Sequence, residues 1–578
     1  MKRINLALGL VLACSTLLSG PASAAANSTA EPPVPSRTLT GALLSAQVAE
    51  GDNDSAAMIA YYRQALAFDP GSVDFEQKLM VSLLSDGRFD EALPLAEKLK
   101  AVPEAERISR VALAIDAASK KNWSGAETYL KLALQSDLDR LVTGLMTGWV
   151  KLGAGDVKDA TKSIAELKGP EWYDLFKQIH KALILDAGGD KVAAAVAYEE
   201  AANSPDASAA PESWLRMMES YARLDAKDGK PKEASGVLDR AMEIAPERPS
   251  LLALKKSIAA GETIEPMLVS PSDGMAEVLL GLGVAIRRDG AEGFSKLYLQ
   301  LALAAKPESD VALIQLASIA EALDQQEAAI ANYNAVSAKS PFKRGAELQA
   351  GLNLADLEKV DEAVKQLTSL VDADPTDTRA YLALGGVHSS NKDYKSAAIV
   401  YDKAATAIGT PDRNDWNLFY QRGIAHERTK NWPAAEASFK EALKLFPEQP
   451  QVLNYLGYSW VDRNENLDEA LDMIRKAVEL RPEDGYIVDS LGWAYYRLGK
   501  FDEAVAELEN AIRLRPEDAT INDHLGDAYW RVGRVLEARF QWQHSLDAKS
   551  EDVNNDTIKV KLAATEPLLA EAITDKKG

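Results

Sequence analysis

The sequence predicts an all-α solenoid of about fourteen helix-turn-helix units, and three observations carry that reading. A pattern recurs every 34 residues: Leu491-Gly492, Tyr495, Leu498-Gly499 and Ala504 are followed by Leu525-Gly526, Tyr529, Val532-Gly533 and Ala538 at the same spacing. Small residues hold fixed places in that period. Position 8 is glycine in eight units (Gly148, Gly283, Gly351, Gly385, Gly423, Gly457, Gly492 and Gly526), and position 20 is alanine in most. Such residues let two helices approach closely, where a large side chain would force them apart. Finally, Ala504, Leu508, Ala511 and Ile512 fall at i, i+4, i+7 and i+8, which is one face of a helix.

Taken in order, the first element is an address. Met1-Lys2-Arg3 is a positive n-region, Ile4 to Leu18 is an apolar run too short to span a membrane, and Ala22-Ser23-Ala24 offers a small-x-small cleavage site. Residues 1–24 therefore read as a secretory signal. Val11-Leu12-Ala13-Cys14 also fits a loose lipobox, which makes Cys14 a candidate lipidation site. Residues 25–38, with Pro32, Pro33 and Pro35, form a linker.

The repeats follow. Units start near residues 39, 73, 107, 141, 175 and 211, which defines an N-terminal array over 39–260. Residues 261–275 carry two prolines and no helical period, so they read as a linker or irregular break. Units starting near 276, 310, 344, 378, 416, 450, 485 and 519 then make a C-terminal array over 276–550. Prolines recur at position 32, as Pro307, Pro341, Pro375, Pro447 and Pro516 do, and end the second helix because proline has no N–H for the ladder. Residues 551–578, with Ile558 to Leu562 and Pro567 to Ile573, supply a capping helix and tail. One helix pair cannot cover its own apolar face, so neighbours stack into a continuous core.

Composition narrows the function. Of 578 residues 47% are hydrophobic, and 65 Lys+Arg against 87 Asp+Glu give a net charge of −22. That sign disfavours nucleic acid and anionic headgroups, whose binding draws on counterion release by basic side chains. The single cysteine excludes an intrachain disulfide framework and a thiolate metal cluster.

The residues at positions 7, 8, 11, 20, 27 and 32 resemble the tetratricopeptide repeat (TPR) family. The resemblance implies a right-handed superhelix whose concave face is lined by positions 2, 5, 9, 12 and 13 of each first helix. In the last three units that pattern selects Tyr458, Tyr486, Asp489, Trp493, Tyr496, Arg497, Asp527, Trp530 and Arg531 as partner-binding residues. Aromatic rings beside Arg and Asp suit an interface, because a rigid ring buries much area at small entropic cost. Family members that grip C-terminal carboxylates pair Lys at position 5 with Asn at position 9, and no unit here does so.

Enzymatic signatures are missing. The five histidines are scattered, the Gly-Lys pairs at 229–230 and 499–500 are followed by Pro231 and Phe501, and no G-x-S-x-G elbow occurs. His388 and His426 fall at position 11, a packing position. The chain accordingly reads as a non-catalytic scaffold or adaptor with protein or peptide partners. The expectation includes no cofactor, no metal, no nucleic acid, no small-molecule substrate, and membrane contact only through an N-terminal lipid. The signal predicts a periplasmic location, with an outer-membrane lipoprotein as the Cys14-anchored alternative. The architecture resembles exported TPR proteins of the Gram-negative envelope, including lipoprotein adaptors of carboxyl-terminal-processing proteases. That likeness implies docking of an envelope protease or cell-wall enzyme. A structural role in an envelope secretion or polysaccharide-export assembly is the alternative.

Overall fold

The computed structural model describes residues 34–131, 136–205, 207–287, 291–550 and 553–564. The signal, Cys14 and residues 565–578 lie outside the described residues. Within them the chain is an all-α solenoid of thirty α-helices. Twenty-eight follow one another as fourteen helix-turn-helix pairs in the predicted register, and two, Pro249–Ala259 and Asn555–Ala563, stand singly.

The register glycines do what their spacing implies. A Cβ added at Gly385, Gly423, Gly492 or Gly526 would fall within 2.5 Å of Tyr401, Phe439, Leu508 or Trp542, the position-24 side chain of the same pair. Position 8 is thus where the first helix rests on the second. The turn inside a pair is closed by one left-handed residue, glycine at Gly499 (φ +75°) and Gly533 (φ +82°), because a Cβ opposes that conformation.

The helices gather into two compact units, Met1–Gln366 and Leu367–Gly578, and the division falls inside the helix Val360–Ala373. Residues 261–275 lie within the first unit. Their lack of helical period is real, since no helix covers Gly261 to Ser270. Yet Ile264 and Leu268 are buried in the same core as the preceding pairs, which ties the segment down. Beside it, the lone helix Pro249–Ala259 is anchored by Arg248. This fully buried guanidinium forks onto Glu212 at 2.8 Å for both nitrogens and reaches Glu219 at 3.0 Å. Burial opposes ionisation of Glu212, but Arg248 outweighs it and holds the carboxyl below its usual range.

The first unit fills its own first-helix face. The helices Pro271–Ala285 and Glu292–Ala305 pack against the first helices of five earlier pairs, from Val73–Ser85 to Pro211–Lys227. Contact is close: a Cβ at Gly274 would meet the Trp149 ring at 2.0 Å, and one at Gly281 would meet Ser213 at 2.5 Å. Arg216 pairs with Glu277, its Nε donating to the carboxylate at 2.7 Å, and both are buried.

The second unit contains the pairs from Thr378 to Asp547 and ends in the single helix Asn555–Ala563. That helix begins the cap expected over 551–578. It packs on the helix Val535–Asp547 through buried Ile558.

Candidate protein-binding face

Positions 2, 5, 9, 12 and 13 are spaced by three, four, three and one residues, so they share one stripe of each first helix. In the second unit, ties between neighbouring first helices run along that stripe. Arg497 Nη1 reaches Asp462 Oδ1 at 3.2 Å, His524 Nδ1 lies 3.0 Å from both oxygens of Asp489, and Lys561 Nζ donates to Asp523 at 2.7 Å.

A three-ring stack occupies the middle. Trp493 lies between Tyr496, with centroids 4.8 Å apart, and His524, 4.0 Å away, and both rings are within 14° of parallel. Asp489 is buried beneath the stack. Burial disfavours a charged imidazole, but Asp489, helped by Asp523 and Asp527, outweighs it and raises the pKa of His524. The cation so favoured is flat against the indole, an arrangement its ring quadrupole stabilises.

The last pair is tied together by carboxylates. Asp527 accepts from Trp542 Nε1 at 3.0 Å and from Lys561 at 2.8 Å. Burial raises its carboxyl above the ordinary range, Lys561 opposes that rise and Asp523 adds to it. Trp530 is only 3% exposed and packs 5.3 Å from Trp542, while its Nε1 finds no acceptor. The guanidinium of Arg531 lies 3.9 Å from the Phe501 ring centroid.

The predicted residues therefore divide. Asp489, Tyr496 and Trp530 are buried and engaged with neighbouring helices, so none can meet a partner without repacking. Tyr458, Trp493, Arg497, Asp527 and Arg531 are half-buried with part of each side chain at the surface, and Tyr486 is 51% exposed under Arg515. Burial, with Asp489 and Asp462 nearby, pushes the Tyr458 phenol well above its usual pKa, which keeps it a neutral donor. Sequence reasoning had no signal for His524 or Lys561, whose roles depend on carboxylates 34 to 38 residues away. His426 is buried at position 11 and meets Asp402 at 2.9 Å, as a packing residue does. Among the described residues no group of three or more His, Cys, Asp or Glu is placed to hold a metal ion.

The comparisons with known proteins follow this geometry. A family model described as TPR repeat matches residues 492–533, and one described as tetratricopeptide repeat matches 348–412 and 420–485. A TPR repeat-containing protein of Pseudomonas aeruginosa is 29% identical over 194 residues, 33% of this chain and 32% of its own length. A general transcriptional corepressor of Schizosaccharomyces pombe is 27% identical over 139 residues, 24% of this chain and 12% of its own. The chain thus spans about a third or less of the length of these curated relatives. Among solved structures, a chain of an APC/C hetero-tetramer is similar at TM-score 0.37 and 16% identity, covering 91% of this chain and 96% of that one. A tetratricopeptide repeat protein from Parabacteroides merdae is similar at TM-score 0.35 and 17% identity, covering 43% and 96%. The family matches support the TPR family for this chain, whose members generally mediate protein–protein interaction and are typically non-catalytic.

Proposed function

We propose that this chain is an exported, periplasmic scaffold that holds a protein partner on the first-helix face of its second unit. One observation carries the reading. Tyr458, Tyr486, Trp493, Arg497 and Arg531 keep accessible surface on that face, whereas the corresponding face of the first unit is filled by its own helices. Aromatic edges flanked by guanidinium groups are the side chains that dominate protein interfaces. The net charge of −22 favours basic or amphipathic partners by electrostatic steering. The signal-like start supports export. The likeness to envelope adaptors makes a processing protease or cell-wall enzyme the partner class to examine first.

Crosslinking in the envelope followed by affinity purification tests the proposal. A reproducible partner should be recovered with the wild-type chain and lost with Tyr486→Ala plus Arg531→Ala, two changes outside the buried core. Equal recovery with the double variant would overturn the assignment of this face. Fractionation tests the location: recovery of the wild-type chain in the cytoplasm would defeat export, and Cys14→Ala tests lipid anchoring separately.

A further inference from the structure

The single helix Asn555–Ala563 begins where a further repeat would. Adding 34 residues to the last unit start, 519, gives 553, and in that frame Val560 takes position 8. In the described pairs position 8 is buried against the second helix of its own pair, as Gly423 on Phe439 and Gly526 on Trp542 show. Val560 instead is 70% exposed, although Ile558 on the same helix is buried at 1%. The helix therefore presents a bare surface at the register position that elsewhere receives a partner helix.

The sequence that follows supplies the remaining positions. Position 17 of the second unit's pairs is a large apolar residue, Tyr394, Trp432, Leu467, Phe501 and Val535, where the pair starting at 450 is longer by one residue. Continued to the frame at 553, position 17 is Leu569. Position 20 is Ala397, Ala435, Ala470, Ala504 and Ala538, each with no exposed surface, and the next in series is Ala572. Glu571 would lie in the first turn of a helix starting at Leu569, where a carboxylate is favoured by the N-terminal dipole. One departure is instructive. Position 8 has become valine and position 24 has become Lys576, so the bulk moves to the first helix and the aliphatic stem of a lysine covers it.

We propose that residues 569–577 form the second helix of a fifteenth repeat, packed on the exposed face of the helix Asn555–Ala563 at Val560. The helix would have nine residues, the length of Val157–Ala165, which serves as the second helix of the pair before Tyr173. The occupant of the bare position is thus the chain's own continuation, and the array closes on a complete pair.

Cysteine trapping in the full chain tests this. With Cys14→Ser removing the native thiol, Val560→Cys is combined with Lys576→Cys, the position-24 partner, or with Thr574→Cys, which the same helix would turn outward. The two pairs differ by only two residues of tether, so an untethered tail would oxidise both at similar rates. The 560/576 pair should form an intramolecular disulfide at least about tenfold faster than 560/574, because the bond forms only at matched Cβ positions. Equal rates would overturn the proposal. So would prompt disulfide-linked dimers of the chain carrying Val560→Cys with Cys14→Ser alone, which would assign the bare face to a second copy.

Discussion

Two tryptophans at the same register meet different fates. Trp149 and Trp493 both occupy position 9 of a first helix, and each touches a histidine at position 6 of the next pair, His180 or His524. In the first unit the rings are perpendicular, Trp149 Nε1 donates to His180 Nδ1 at 3.1 Å, and the indole has no exposed surface because Gly274 lies on it. In the second unit the rings are stacked and the indole keeps an exposed edge. The difference traces to position 5 of the tryptophan's own helix, Leu145 in one and Asp489 in the other. Without a carboxylate nearby, burial drives the pKa of His180 down to about 3, so it stays neutral and accepts a hydrogen bond. With Asp489 beneath it, His524 moves the other way. The repeat fixes where the rings meet, and one neighbouring side chain decides whether they are core or surface.

This contrast can be broken in the first unit. Trp149→Ala should have the largest effect, destabilising the first unit by about 3–5 kcal/mol, the usual cost of removing a buried aromatic, while leaving partner recovery unchanged. Chemical denaturation followed by hydrogen exchange within residues 137–305 reads that loss. Gly274→Leu attacks the same contact from the other side, and overpacking against Trp149 should cost about 1–3 kcal/mol. A gain in stability from either change would contradict the packing described.

In the second unit the contrast concerns charge. The pKa of His524 is raised on folding, so its contribution is full below the unfolded value of about 6.5 and is lost as pH rises through the folded value. Asp489→Leu copies the first-unit environment and should remove that dependence, with the His524 titration moving below about 6.5 as burial alone governs it. Proton NMR of the imidazole reports the change, and an unmoved titration would exclude Asp489 as its cause. The smallest effect is expected from Arg497→Ala. Its ion pair with Asp462 is partly exposed and contributes about 0–1 kcal/mol, so stability should barely change while partner retention falls.

Much of this fold was legible because each pair is built from contacts within 34 residues. Gly423 against Phe439 is a local relation, and it leaves its mark as small residues at position 8 and ring or branched residues at position 24. The filled face of the first unit was not legible. Gly274 meets Trp149 across 125 positions, and nothing in the period distinguishes Gly274 from a turn residue. The segment 261–275 was legible as irregular but not as buried, because Ile264 and Leu268 contribute to the core without periodicity. On the candidate face, position numbers found the stripe but could not separate Trp493 from Trp530. The Trp542 side chain that helps bury Trp530 belongs to the second helix of its pair.

The glycine contacts also bear on how such a chain can change its length. In the second unit each glycine is matched by a side chain of its own pair, so a whole pair duplicated or lost in frame carries both halves of its contact with it. The first unit has no such freedom. Removing 34 residues between Trp149 and Gly274 would leave both residues present but set the glycine against a different turn of helix. Gene-level gain and loss of repeats should therefore be tolerated after residue 367 and penalised before it.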